Sequence, residues 1–368
     1  MTEELPYQIG LTLIDHIGDI TAKNLLAYCG SAREIFNQKK SHLQKIPGIG
    51  SVIAKSLVAS KEVLLRAEEE IKFIQKYKIT PLFLTEENYP RRLRSCADGP
   101  ILLYYKGKAD LNKDKIVAVV GSRKPSDYGK ERTQEFINEL NGSNILIVSG
   151  LAYGVDILAH KAALENELET VGVLAHGLDR IYPHAHDKIA KRMLSHGGLL
   201  TDFMSGNTPE AVNFPKRNRI VAGLCDALVV IESKRTGGSL ITATIANSYN
   251  KDVFAYPGRA GDVLAEGCNG LIKQNRAALI ENAADLLDAL QWQEVSNVST
   301  KPKQISLLLN LSDDEKLIVG LLSEKKSVHV DEICQAARLP ISKVSTLLLQ
   351  LEFGNLIKSR PGKLFERI

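Results

Sequence analysis

Residues Asn213 to Ala243 read NFPKRNRIVAGLCDALVVIESKRTGGSLITA, and the fold turns on them. Asp226 to Ile231 (DALVVI) is a short apolar run rich in β-branched side chains, the pattern of a parallel strand covered on both faces. It runs into a Gly-Gly-Ser turn. Gly237 and Gly238 let backbone N–H groups approach a ligand closely, and Ser239 is expected to cap a helix over Leu240 to Ser248 while offering a hydroxyl to an anion. The turn is a candidate phosphate seat. Upstream, Lys216, Arg217 and Arg219 read as a basic loop beside Phe214, ahead of a short amphipathic helix. Cations around one aromatic suit a nucleic-acid strand, with phosphates paired to the charges and a base stacked on the ring. The competing structural reading has Arg217 and Arg219 only capping or pairing at a helix start.

Outward from this stretch, further apolar runs alternate with segments of helical length. The runs are Ile116 to Val120, Ile145 to Val148, Val171 to Ala175, Leu199 to Thr201, Ala227 to Ile231 and Val253 to Tyr256. Such alternation predicts a doubly wound parallel sheet that binds ligands outside the carboxyl ends of its strands. Small-residue turns stand at those ends: Gly121-Ser122-Arg123, Ser149 to Asp156 (SGLAYGVD) and Gly237-Gly238-Ser239. All three can share one anion-binding crevice. Gly121-Ser122-Arg123 is not a dinucleotide fingerprint, because arginine stands where a second glycine would admit a pyrophosphate and no acid ends the next strand. The P-loop pattern is absent too, so neither NAD binding nor nucleoside triphosphate hydrolysis is expected.

Composition sets wider limits. The chain has 368 residues, 44% hydrophobic content and net charge +4, enough for two or three domains and neutral enough that local clusters must decide any polyanion partner. Its five cysteines are scattered and form no CxxC pair, which supports neither a disulfide framework nor a zinc site. His160, His176 and Asp179 lack metal-ligand spacing and read as structural. No cofactor and no metal are expected. With no secretory leader pattern and no apolar run of membrane-spanning length, a cytoplasmic protein is expected.

The flanks add two smaller units around a central domain spanning 76–290. Residues 1–75 read as helices with a weak repeat: Ile17, Gly18, Ala22, Lys23 and Leu25 are matched by Ile49, Gly50, Ala54, Lys55 and Leu57. The second copy, KIPGIGSVIAKSL, resembles a helix-hairpin-helix motif, whose turn can hold a DNA phosphate. The alternative is a helical domain that packs against protein, since the first copy puts Asp19 in its turn. Val63 to Tyr77 reads as a solvated amphipathic connector, and Arg91 to Arg94 as part of a loop between two short strands. Residues 291–311 read as a linker and 312–368 as a winged helix, with Ile341 to Leu351 as recognition helix and Lys358, Arg360, Lys363 and Arg367 on the wing. Only Lys343 and Gln350 offer long polar side chains on that helix before Glu352, so sequence readout is poor and protein contact is the competing reading.

Taken together, these stretches resemble the DNA-processing protein A (DprA/Smf) family. The likeness is carried by VVGSR (119–123), SGLAYGVD (149–156), HGLD with YP (176–179, 182–183), FPKRNRIVAGL (214–224), GGSLITA (237–243) and GCNGLI (267–272). It implies an extended Rossmann-like domain that dimerises, binds single-stranded DNA without strong sequence preference, protects it and helps load the RecA recombinase during natural transformation. A single-stranded-DNA-binding protein is a further implied partner, and no catalytic residue is implied. By position, Gly121, Ser122, Arg123, Lys216, Arg217, Asn218 and Arg219 would hold phosphate, Phe214 would stack on a base, and Gly238 and Ser239 would complete the pocket. Three positions depart from the common pattern: Tyr153 for arginine, Asp202 for glutamate and Gly237 for serine. The rival from another class is a phosphoribohydrolase-type enzyme, disfavoured because the helix after the Gly-Gly-Ser turn (SLITATIANS) carries no acid to assist departure of a base.

Overall fold

The computed structural model describes residues 3–58, 61–292, 311–324, 327–354, 356–360 and 362–367. The chain divides into two units, Met1–Gln293 and Glu294–Ile368. The expected linker falls almost wholly outside the described residues.

The first unit is built on a nine-stranded sheet. Its strands are β1 (Thr80–Phe83), β2 (Leu102–Gly107), β3 (Ile116–Val120), β4 (Leu146–Ser149), β5 (Thr170–Val173), β6 (Gly197–Thr201), β7 (Ala227–Val230), β8 (Asp252–Ala255) and β9 (Ala278–Leu279), in the order β1-β2-β6-β5-β4-β3-β7-β8-β9. Strands β3 to β9 pair in parallel, while β1 and β2 extend the β6 edge antiparallel. This is the doubly wound sheet expected, lengthened at one side. The continuous apolar runs have a simple cause. Along β3, Ile116, Ala118 and Val120 face one core while Val117 and Val119 face the other; β7 divides its side chains the same way. Both faces are dry, so no polar residue interrupts the period of two.

Strand β3 lies between β4 and β7, where chain order reverses across the sheet. Register then levels the loops: Val120 stands opposite Val230, and Ala118 opposite Val148. The turns that leave all three strands therefore start at nearly the same height, at the crevice where open α/β sheets bind ligands.

The helical head packs onto the sheet without a gap in the core near residue 75. Leu25, Ile35, Leu43 and Leu57 share one apolar cluster with Phe83, Ile101, Leu102 and Tyr104 of the added strands. The supposed solvated connector, helix Lys61–Tyr77, belongs to it through Ala67 and Ile74. Glu70 on that helix is buried and accepts from the Ser205 amide at 3.0 Å. The two repeat copies are structurally alike, since Gly18 and Gly50 each accept from the alanine four residues on. Their surroundings differ. Asp19 takes the Ile101 amide at 3.0 Å, turning the first copy inward, whereas Ser51 and Val52 of the second are exposed. The Arg91–Arg94 helical turn is structural as well: buried Arg92 grips Asp226, at the head of β7, through two bonds of 2.6 and 2.7 Å.

The second unit is a winged helix. Helices Asp313–Glu324, Val330–Ala337 and Ile341–Phe353 pack with a three-stranded sheet of β10 (Val328–His329), β11 (Ile357–Arg360) and β12 (Leu364–Arg367), in the order β10-β12-β11. Its core is Ile318, Leu322, Ile333, Val344, Leu348 and Leu351. Two of the basic residues placed on the recognition helix and wing are engaged within the unit, Lys343 with Asp314 at 2.6 Å and Arg360 with Glu366 at 2.6 Å. The helix read as a recognition helix instead exposes Ile341, Leu349 and Phe353.

His160 anchors the loop after β4. Fully buried, it sets Nε2 2.6 Å from the Gly150 carbonyl and Nδ1 2.6 Å from Thr170 Oγ1. Burial pulls its pKa down to about 4, below the value of ~6.5 expected in an unfolded chain. The unfolded state therefore takes up the proton first, and stability falls as pH drops below ~6.5. We expect His160 to account for about 2 kcal/mol of the loss between pH 7.5 and 5. Denaturant titrations at the two pH values should show that slope reduced in His160→Asn; an equal slope would mean that another group carries it.

Candidate nucleic-acid interface

The region read as a basic loop is helical throughout: Asn213–Leu224 forms one helix that packs under the crevice. With 3.6 residues per turn, its basic residues cannot all face one way. Phe214, Arg217, Asn218 and Val221, spaced i, i+3, i+4, i+7, line a cavity of about 450 Å³ at the strand ends. Pro215, Lys216 and Arg219 face a separate cavity beside the head.

Three turns form the rest of the first cavity. Gly121, Ser122 and Arg123 leave β3, Gly150 and Ala152 leave β4, and Gly237, Gly238 and Ser239 follow β7. Hydrogen bonds lock them together. Val155 N–H donates to the Ser122 carbonyl at 3.1 Å, and buried Glu232 accepts from Ser126 N–H at 2.8 Å. Gly154 has φ +81° and passes so close to Ser122 that a Cβ would lie 2.1 Å from its carbonyl oxygen. Only glycine fits there.

The cations fall into three kinds. Arg123 is exposed and has no acidic partner within 4 Å among the described residues; its guanidinium lies over the Phe214 ring at 5.2 Å. Lys124 and Lys234 are likewise exposed on the lips of the cavity without an acidic partner among the described residues. Both escaped the sequence reading. Lys234 could have been found as one of the two bases, Lys234-Arg235, shortly ahead of the Gly-Gly-Ser turn. Arg217 is of the second kind. It is 5% exposed, donates to the Val173 carbonyl and to Asn218 Oδ1, and both it and Asp156 lie beneath Gly150. Burial lowers its pKa and raises that of Asp156, and each offsets the shift of the other. Arg217 is a buried wall of the site whose donors are engaged by Val173 and Asn218, and burial remains the larger influence on it and on Asp156.

Arg219 is of the third kind and lies outside the crevice. Its Nη1 meets Asp19 and its Nη2 meets Asp202, each at 2.8 Å, and it donates to the Asp98 carbonyl. Burial works against its charge, but Asp202 and Asp19 outweigh that and raise its pKa. The structural reading of Arg219 is the one that holds, because the head supplies one acid and the end of β6 the other. Lys216 is exposed, on the same side of the helix.

At the Gly-Gly-Ser turn the helix begins earlier than expected. It spans Gly238–Ser248 with Gly237 as cap residue and no side-chain cap. Ser239 is inside the helix and buried, its hydroxyl donating to Ser233 Oγ at 2.8 Å. The amides of Gly238 and Ser239 open the helix, where backbone N–H groups lack intrahelical partners, so what this turn offers an anion is backbone rather than a capping serine. His176 is structural too: buried, it accepts from Tyr182 N–H at 3.2 Å. Among the described residues no group of His, Cys, Asp or Glu could hold a metal, and no helix is long and apolar enough to cross a membrane.

Comparison with known proteins accords with this geometry. Residues 80–291 match the family model of DNA recombination-mediator protein A, and residues 302–363 match the DprA winged helix domain. Protein Smf of Synechocystis is 30% identical over 99% of both chains, and DNA processing protein DprA of Streptococcus pneumoniae is 40% identical over 58% of this chain and 76% of its own. The X-ray structure of the Streptococcus pneumoniae protein superimposes with TM-score 0.68 at 32% identity, covering 77% of this chain and 97% of that one. DNA processing protein A from Helicobacter pylori, described for its single-stranded DNA binding mode, gives TM-score 0.53 at 30% identity over 58% of this chain and 96% of that one. With a mediator domain matched across its central sheet and a near full-length relative in Smf, this chain belongs to the DNA recombination-mediator protein A (DprA/Smf) family.

Proposed function

We propose that the crevice at the ends of β4, β3 and β7 binds single-stranded DNA without sequence preference. One observation carries this reading: Arg123, Lys124 and Lys234 stand exposed and, among the described residues, without acidic partners around a cavity that also presents helix-start amides and the Phe214 ring. Unmatched cations beside an aromatic attract a backbone and accept an unstacked base. The likeness to the Helicobacter pylori protein points the same way. Family membership supports the wider role, that of a cytoplasmic dimer that protects incoming strands and passes them to the RecA recombinase in natural transformation, alongside a single-stranded-DNA-binding protein. The action is one of holding rather than of bond breaking. Within the cavity the acidic residue is Asp156, which is buried beneath Gly150, whereas a general acid or base has to reach its substrate within hydrogen-bond distance.

The variants divide by mechanism. Arg123→Ala and Lys234→Ala should each weaken poly-dT binding by a similar factor for any sequence and flatten the salt dependence by ~0.7 per lost contact. Phe214→Ala should cost about 1–3 kcal/mol of binding. Anisotropy titrations across a salt series decide this, and wild-type affinity in all three variants rejects the crevice as the DNA site.

Arg219→Ala should behave differently. It strands two acids and should lower folding stability by about 3 kcal/mol, while the fraction that remains folded binds DNA normally. Thermal unfolding together with active-site titration checks this; an unshifted melting curve with lost binding would return Arg219 to the DNA contacts.

A further inference from the structure

Beside the phosphate cavity lies a shallow slot, shared along Arg123, Phe214 and Arg217, that the single-strand reading leaves unused. Its outer rim carries Tyr153 and Tyr182, 52% and 47% exposed. Large aromatics that exposed, placed next to unmatched cations, are costly to leave bare unless a flat partner covers them. The slot holds only about 40 Å³, the room of a few water molecules. A base cannot enter it and has to lie across the rim.

Both rings are carried by pinned backbone. The Tyr182 amide donates to Nε2 of buried His176 at 3.2 Å. The Tyr153 ring sits edge-on to His186 at 4.9 Å and 72°, and His186 Nδ1 is 2.9 Å from the Leu151 carbonyl. Little freedom is lost when a base stacks on a ring already held in place.

The spacing also says what kind of strand fits. Tyr182 and Phe214 have ring centroids 6.3 Å apart with planes inclined by 55°. The tilt rules out clasping one base between parallel rings. Bases lying flat on the two rings would share that inclination, so they have to be unstacked from each other. A duplex cannot meet that demand.

We infer that Tyr182 and Tyr153 form a second, base-stacking subsite of the DNA crevice, which takes bases neighbouring the one on Phe214 and makes the crevice selective for unpaired, unstacked strands. The inference rests on the single-strand reading above, with Arg123 as the junction: its guanidinium lies over Phe214 and lines both the phosphate cavity and the slot.

The test compares poly-dT with an abasic oligonucleotide of equal length, titrated by anisotropy against the full chain. Tyr182→Ala and Tyr153→Ala should each weaken poly-dT binding roughly 5- to 100-fold, the range of one stacked base. Neither should change binding of the abasic strand, and Tyr182→Phe and Tyr153→Phe should bind both as wild type does. Equal losses on the two oligonucleotides would show the tyrosines to be structural and overturn the subsite. Alanine variants that bind poly-dT like wild type, while Arg123→Ala is impaired, would overturn the subsite alone and leave the phosphate crevice standing. Wild-type binding by Arg123→Ala as well would remove both.

Discussion

Parallel pairing of β3 with β4 on one side and β7 on the other is the constraint on which the rest of the molecule depends. A parallel ladder in fixed register leaves no choice about where successive turns emerge. Since Val120 is level with Val230, the Gly-Ser-Arg turn and the stretch leading to Gly-Gly-Ser start side by side. The loops are then bolted to one another, at Ser122 with Val155 and at Ser126 with Glu232. A site assembled from sequence positions more than a hundred residues apart thus inherits the stiffness of the sheet. Groups held by rigid elements need not be ordered by the ligand, which leaves more of the contact energy for affinity.

The distribution of charge follows the same logic. Three arginines associated with the site have different work because their surroundings differ. Arg219 ties the head to the sheet through two acids, Arg217 is buried and spends its donors on Val173 and Asn218, and Arg123 keeps its charge for solvent. A count of basic residues would have treated them alike. Coulomb energy in a desolvated setting is large only where the partner is near and water is excluded, so burial and neighbours, rather than residue type, decide which cation is left for a polyanion.

Much of this was legible in the chain. The DALVVI type of run announces a strand with two dry faces, and turn residues after each run locate the crevice, because ligands gather at carboxyl ends in such sheets. What could not be read was orientation. FPKRNR reads as a loop because proline and clustered charge break the apolar pattern, yet Pro215 occupies an early helical position, where its missing N–H costs nothing. Once that segment is a helix, the split of Arg217 from Arg219 follows from the 100° turn per residue. Glu70 and Asp19 misled in the opposite sense, as surface charges on an amphipathic segment and a turn. Glu70 does pair locally with Arg66, but Ser205 and Arg219, which draw the two acids inward, lie far along the chain, and no local pattern reports them. Strand β9, at two residues, is too short to carry any signal.

The shared core of head and sheet has a consequence for how this protein can be dissected. Phe83, Ile101, Leu102 and Tyr104 are covered by the helical head, and Lys23 and Asp19 of its second helix hold the Cys96 and Ile101 backbone. A shortened chain that starts at the first strand would bare a contiguous oily surface and leave Arg219 with a single counter-ion. The amino-terminal helices are thus a fixed cover on the added strands of the sheet, and trimming them away leaves a sticky face.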